Sequence, residues 1–154
     1  MNEDLLIKIA ADWSMIPIVL IGAYALVYKI PKGQRLQVYS RVLMAGLTAY
    51  LLAKLIGLFF QPVAERPFEI LGTAAKASFL NNPGFPSDHV LFATAITCAV
   101  WFETKDKILS SILSVLVIIV GIGRILALVH SPYDVIGGVV IAMIGSFWYV
   151  NNKK

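Results

Sequence analysis

Long apolar blocks separated by short polar breaks set the plan of this chain. Five blocks are long enough to cross a bilayer, which takes about 20 residues, or about 17 with suitable flanks. They run from about Trp13 to Ile30, Leu36 to Phe60, Ser87 to Phe102, Ile108 to Val129 and Pro132 to Val150. The breaks are the turn Pro31-Lys-Gly-Gln34, a stretch rich in Pro and Gly from Gln61 to Pro86, the charged turn Glu103–Lys107 and a short turn at 130–132. No block alternates with period two, so a β-barrel is not expected. The pattern predicts an all-α, polytopic membrane helix bundle of five transmembrane helices, folded as a single domain over residues 1–154. Ahead of the first span, Leu5, Leu6, Ile9 and Ala10 share one face of a short amphipathic segment. That segment is expected to lie at the membrane interface. Glu3, Asp4 and Asp12 outnumber Lys8 there, the wrong charge for a signal peptide.

Composition agrees with the block pattern. The chain is 58% hydrophobic and 14% charged, against about 45–50% and about a quarter in soluble domains. The net charge of +4 is spread between apolar blocks, without the basic stripe and interleaved aromatics of a nucleic-acid surface. Cys98 is the only cysteine and sits in an apolar run, where it reads as a small core residue. Basic residues fix the orientation, because they collect on the cytoplasmic side. Lys29, Lys32, Arg35, Lys105, Lys107, Lys153 and Lys154 share one side of a five-span plan, against Lys8, Arg66 and Lys76 on the other. The expected protein is therefore a multi-pass plasma-membrane protein with its N-terminus outside and its C-terminus in the cytoplasm.

This topology gathers the unusual polar residues on the outer face. Arg124 interrupts the fourth block, and an ionisable residue at membrane depth is a functional candidate by default. Ser87 opens the third span as an N-cap, and Ser131-Pro132-Tyr133-Asp134 opens the fifth with a capping-box pattern. Two helix starts on one face offer unpaired N–H groups to an anion, and Arg66 and Arg124 add guanidinium forks suited to phosphate. Asp134 lies four residues from His130, close enough to accept a ring N–H and leave the other nitrogen free as nucleophile or base. His89 is placed to protonate a leaving oxygen. These are the parts of phosphoester hydrolysis through a covalent intermediate. A metal held by His89, His130 and Asp134 is a competing reading, opposed by the two arginines, which would repel a cation.

The spacing of these residues resembles a known family. Arg124, His130 and Asp134 are similar to the third signature of the type 2 phosphatidic acid phosphatase superfamily. Phe85-Pro-Ser-Asp-His89 is similar to its second signature and Arg66-Pro67 to the end of its first. The strings Glu65-Arg-Pro-Phe68 and His130-Ser-Pro-Tyr-Asp-Val135 most resemble the bacitracin-resistance-type undecaprenyl-diphosphatases, and the resemblance spans about 36 to 150. It implies that His130 forms a phosphohistidine, Asp134 orients it, His89 protonates the leaving group, and Arg66, Ser87 and Arg124 bind phosphate. It implies no cofactor and no metal.

Three positions depart from the family pattern. Phe59 stands where a first-signature lysine usually stands, Asp88 replaces the usual glycine of the second signature, and Gly123 replaces the serine before the third-signature arginine. Lys76, in the outer loop, is the candidate substitute for the missing lysine, set against a reading as a solvated loop charge. Lys54 is placed about 9 Å below the rim by a rise of about 1.5 Å per residue, and is disfavoured. The resulting expectation is a phosphatase that converts undecaprenyl diphosphate to the monophosphate, with the lipid substrate and the bilayer as its partners. A glycerophospholipid phosphatase is the runner-up. A proton-coupled transporter is disfavoured because the ionisable residues sit at one rim and no duplication is visible, and a structural subunit is disfavoured with it.

Overall fold

The computed structural model describes residues 2–80 and 82–150, and every described element is helical. In chain order these are α1 (Glu3–Lys8), a π-helical turn (Ile9–Trp13), α2 (Met15–Tyr28), a short 3-10 turn (Lys32–Gln34) and α3 (Arg35–Phe59). They are followed by α4 (Pro67–Ile70), α5 (Asp88–Thr104), α6 (Lys107–Leu126), α7 (Pro132–Gly145) and α8 (Phe147–Val150).

Four stretches are long and apolar enough to cross a membrane: Glu3–Tyr28, Lys32–Phe59, Lys107–Leu126 and Pro132–Val150. Large apolar side chains such as Leu20, Leu43, Leu58, Ile118 and Ile136 are exposed along them, as lipid-facing positions must be. The third expected span, α5, has 17 residues and falls short of that set. It packs against α2, α3, α6 and α7, so it is lined by protein on most sides. It buries Val90, Leu91, Ala93, Thr94, Thr97, Ala99 and Val100.

The N-terminal segment differs from the surface-lying one expected. It runs through the π-helical turn almost directly into α2, and Ala11 is fully buried. Gly123 of α6 makes this approach possible. A Cβ there would meet Ala11 N at 2.6 Å and the Ala10 carbonyl carbon at 2.7 Å. The exposed Leu5, Leu6 and Trp13 still form an apolar outer rim to this end of the bundle.

Alternation of direction brings the starts of α2, α5 and α7 to the same end as the ends of α3 and α6. The opposite end is held by ion pairs. Arg41 makes a two-point contact with Glu103 at 2.7 and 2.6 Å, and Lys29 pairs with Asp106 at 2.6 Å. Asp106 also caps α6 by accepting from Leu109 N. The tail lysines Lys153 and Lys154, used above for orientation, lie outside the described residues.

Candidate active site

Two linked helix starts form the frame. Ser131 caps α7 by accepting from Asp134 N at 3.3 Å, and Asp134 Oδ2 accepts from Ser131 N at 2.7 Å. The expected capping box is therefore present. Ser87 N, at the start of α5, donates to the Asp134 carbonyl at 3.0 Å. Gly138 permits the close approach, since a Cβ there would sit 2.9 Å from the Ser87 carbonyl oxygen. The Ser87 hydroxyl does not cap its own helix. It is fully buried and has no hydrogen-bond partner.

His130 lies in the turn between α6 and α7, with Nδ1 3.6 Å from Asp134 Oδ2. That is longer than a hydrogen bond, and Nδ1 has no hydrogen-bond partner. The geometry assigns Nδ1 to the carboxylate and leaves Nε2 as the free nitrogen. Burial pulls the ring below its ordinary pKa, the Asp134 carboxylate opposes this, and Arg124 and Arg66 add to the lowering. A ring that is neutral near pH 7 keeps a lone pair for attack.

The two arginines are placed differently. Arg124, in the last turn of α6, is 1% exposed. The helix ends at Leu126, so Arg124 lies nearer its C-terminal end than the apolar pattern indicates. Its Nη1 donates to Asp12 Oδ1 at 2.8 Å and to the Ser78 carbonyl at 2.7 Å, while Nε is buried without a partner. Arg66, before α4, donates through Nη1 to the Val129 carbonyl at 2.6 Å, next to His130. Its Nη2 donates to the Leu80 carbonyl at 3.0 Å and to the carbonyl and side chain of Asn82 at 3.1 Å each. Arg66 thus ties the loop before α5 to the His130 turn. Burial lowers its pKa, opposed by Glu69, Asp134 and Asp88, but a guanidinium stays charged at any relevant pH.

His89 sits one residue into α5 with Nε2 4.0 Å from Asp12 Oδ1. Of the candidates, Lys76 is the one not gathered with the rest. Its ammonium pairs with Asp4 at 2.9 Å, in a surface groove beside α1. Lys54, disfavoured above, instead reaches up from α3 to Asp88, with contacts of 2.8 and 3.0 Å. A flexible four-carbon stem can carry a charge well above its own Cα, so counting helical rise underestimated its reach. Phe59, at the position of the family lysine, is 84% exposed and turned outward.

The residue that sequence reasoning missed is Asp12. It looked like one more acidic charge ahead of an apolar block. The available signal was Arg124 itself, since a buried cation calls for a counter-charge. Among the described residues, no three His, Cys, Asp or Glu side chains are grouped to hold a metal ion.

Comparison with curated proteins and with solved structures finds no match. A family model does match, over residues 36–154, which contain Arg66, Ser87, His89, Arg124, His130 and Asp134. With that match covering most of its length, the chain belongs to the PAP2 superfamily, whose members are phosphatases.

Proposed function

We propose that this protein is a membrane phosphatase that removes phosphate from a lipid-linked substrate, with undecaprenyl diphosphate as the main one. The observation that carries the reading is a set of orphaned buried polar atoms: Ser87 Oγ, Arg124 Nε, His130 Nδ1 and Asp134 Oδ1. Buried polar groups without partners are costly. The first two can donate to a phosphoryl oxygen, and the other two belong to the nucleophile and its orienting carboxylate.

In this reading the reaction runs through a phosphohistidine. His130 Nε2 bonds to phosphorus as the P–O bond to the leaving group breaks, and His89 donates its proton to the leaving oxygen. Ser87, Arg124 and the amide-rich start of α5 stabilise charge on the equatorial oxygens. Water then attacks phosphorus, His89 takes a proton from it, the P–N bond breaks, and orthophosphate leaves. Asp134 balances the positive charge on the phosphorylated ring.

A lipid substrate is supported by an apolar groove of about 670 Å³ between α3 and α5, lined by Leu43, Leu47, Tyr50, Phe92 and Ile96. Lys54 and Asp88 stand among its lining residues. In this reading the head-proximal part of a prenyl tail lies along this groove and the rest stays in the bilayer, while the head reaches the catalytic end, where Lys54 replaces Lys76 as the further cation for a diphosphate. In this reading α2, α3, α5, α6 and α7 with α8 are five spans. The site and N-terminus face outward and the Lys29–Arg35 turn faces the cytoplasm. The second reading, a glycerophospholipid phosphatase, uses the same site and groove.

The test is phosphate release by the purified protein from undecaprenyl diphosphate, phosphatidic acid and phosphatidylglycerophosphate, beside His130→Ala. Highest kcat/KM on the prenyl diphosphate, with the variant folded and inactive, is expected. Preference for a glycerophospholipid would replace the substrate, and turnover by His130→Ala would remove the covalent mechanism.

A further inference from the structure

Asp12 lies outside the residues that match the family, yet its carboxylate is inside the site. Oδ1 accepts from Arg124 Nη1 at 2.8 Å and lies 4.0 Å from His89 Nε2. Oδ2 accepts from Ser78 N at 3.0 Å, and the Ser78 carbonyl accepts from the same Nη1 at 2.7 Å. Asp12, Ser78 and Arg124 therefore close a ring of three hydrogen bonds around one corner of the guanidinium. The nitrogen at the other edge, Nε, is buried without a partner.

The N-terminal backbone is shaped for this delivery. The π-helical turn Ile9–Trp13 carries Asp12, and such turns, rare overall, are frequent at functional sites. Ala11 is wedged against Gly123, the residue immediately before Arg124. Gly123 is also where this chain departs from the serine of the family pattern. The small residue and the inserted segment explain one another: a side chain at 123 would occupy the space of the Ala10–Ala11 peptide.

We infer that Asp12 is a positioning residue of the active site, holding Arg124 by its Nη1 corner so that the Nε edge is presented to the phosphoryl group. The inference rests on the phosphatase reading above. A guanidinium offers its donors in a rigid plane, so fixing one corner fixes the direction of the rest. Preorganised donors stabilise the transition state because they need no reorientation during reaction. The same carboxylate faces His89, so the clamp and the acid share one anchor. The N-terminal segment is then a working part of the enzyme.

The experiment uses the full-length protein in phospholipid vesicles, with orthovanadate as a phosphate-shaped probe. Turnover of a lipid phosphate and the vanadate inhibition constant are measured for wild type, Asp12→Asn, Asp12→Glu and Gly123→Ala, with Glu3→Gln as the control. Asp12→Asn should lose about 10- to 100-fold in kcat/KM and weaken vanadate inhibition at least about tenfold, with partial recovery in Asp12→Glu. Gly123→Ala should reproduce the effect with Asp12 still present, and it is read in place of Asp12→Asn should that variant not fold. The inhibition constant does not depend on how much enzyme is folded, so a purely structural role would leave it unchanged. An unchanged constant overturns the inference, and a tighter one means that Asp12 competes with phosphate, which also overturns it. A wild-type protein that releases no phosphate from any substrate, unlike either result, removes the phosphatase reading and this inference together.

Discussion

Replacing Asp134 by Asn tests the pairing at the centre of the mechanism. The amide keeps the shape of the carboxylate, and its oxygen can still accept from Ser131 N, now 2.7 Å from Oδ2. The α7 cap therefore survives. What is lost is one negative charge 3.6 Å from His130 Nδ1, at a site where both side chains are almost fully buried. In the proposed mechanism the ring is neutral before attack and positive once its Nε2 bears the phosphoryl group. At an effective dielectric constant of about 20, a charge pair at that separation is worth about 4–5 kcal/mol, or about a 10³-fold loss in rate. The amide NH2 would take the place of Oδ1, which has no partner. A buried donor left unmade costs about 1–3 kcal/mol of stability. The variant should thus melt a little earlier but lose far more activity than stability. Phosphate release per folded protein, with folding followed by thermal unfolding in the same detergent, separates the two. Turnover within about tenfold of wild type would refute the claim that this carboxylate supports the charged ring.

Three further outcomes follow from other parts of the structure. Lys54→Met should lower kcat/KM for a diphosphate more than Lys76→Met does, because Lys54 meets Asp88 at the groove while Lys76 pairs with Asp4; the reverse order would restore the outer-loop lysine. Because burial lowers the pKa of His130, the unfolded chain, near its ordinary value of about 6.5, takes up the proton first. His130 thus leaves stability undiminished above that value and weakens it as pH falls below, so thermal unfolding of His130→Gln should fall less steeply with acid than that of wild type. In a Cys98→Ala background, Thr73→Cys in the exposed outer loop should react with an impermeant maleimide in intact cells; labelling only after permeabilisation would invert the proposed orientation.

How much could be read beforehand depended on how local each signal was. The α7 start was legible because Ser131, Pro132 and Asp134 lie within four residues and satisfy each other's backbone groups. His130 and Arg124 were legible for the same reason, as polar breaks in an apolar run. Spans that face lipid announced themselves by length and apolarity. Contacts closed over long separations left little trace. Asp12 and Arg124 are 112 positions apart, and Lys54 and Asp88 are 34 apart. Neither pair has a spacing that a periodic pattern reveals.

The pairing of Asp12 with Arg124 also bears on why a small bundle holds a buried cation at all. An arginine at 1% exposure is unfavourable unless a counter-charge and hydrogen bonds meet it. The three hydrogen bonds among Asp12, Ser78 and Arg124 supply both, but only at the Nη1 corner. Full compensation would quench the guanidinium, and none would destabilise the end of α6. Partial compensation leaves a desolvated, directed donor edge in a medium where electrostatic contacts are strong. The same logic applies to Asp134, whose Oδ2 is engaged by Ser131 N while Oδ1 is not. In both residues the fold satisfies the atoms that fix orientation and leaves one buried atom without a partner, so in the proposed mechanism chemistry and stability draw on different atoms of the same side chain.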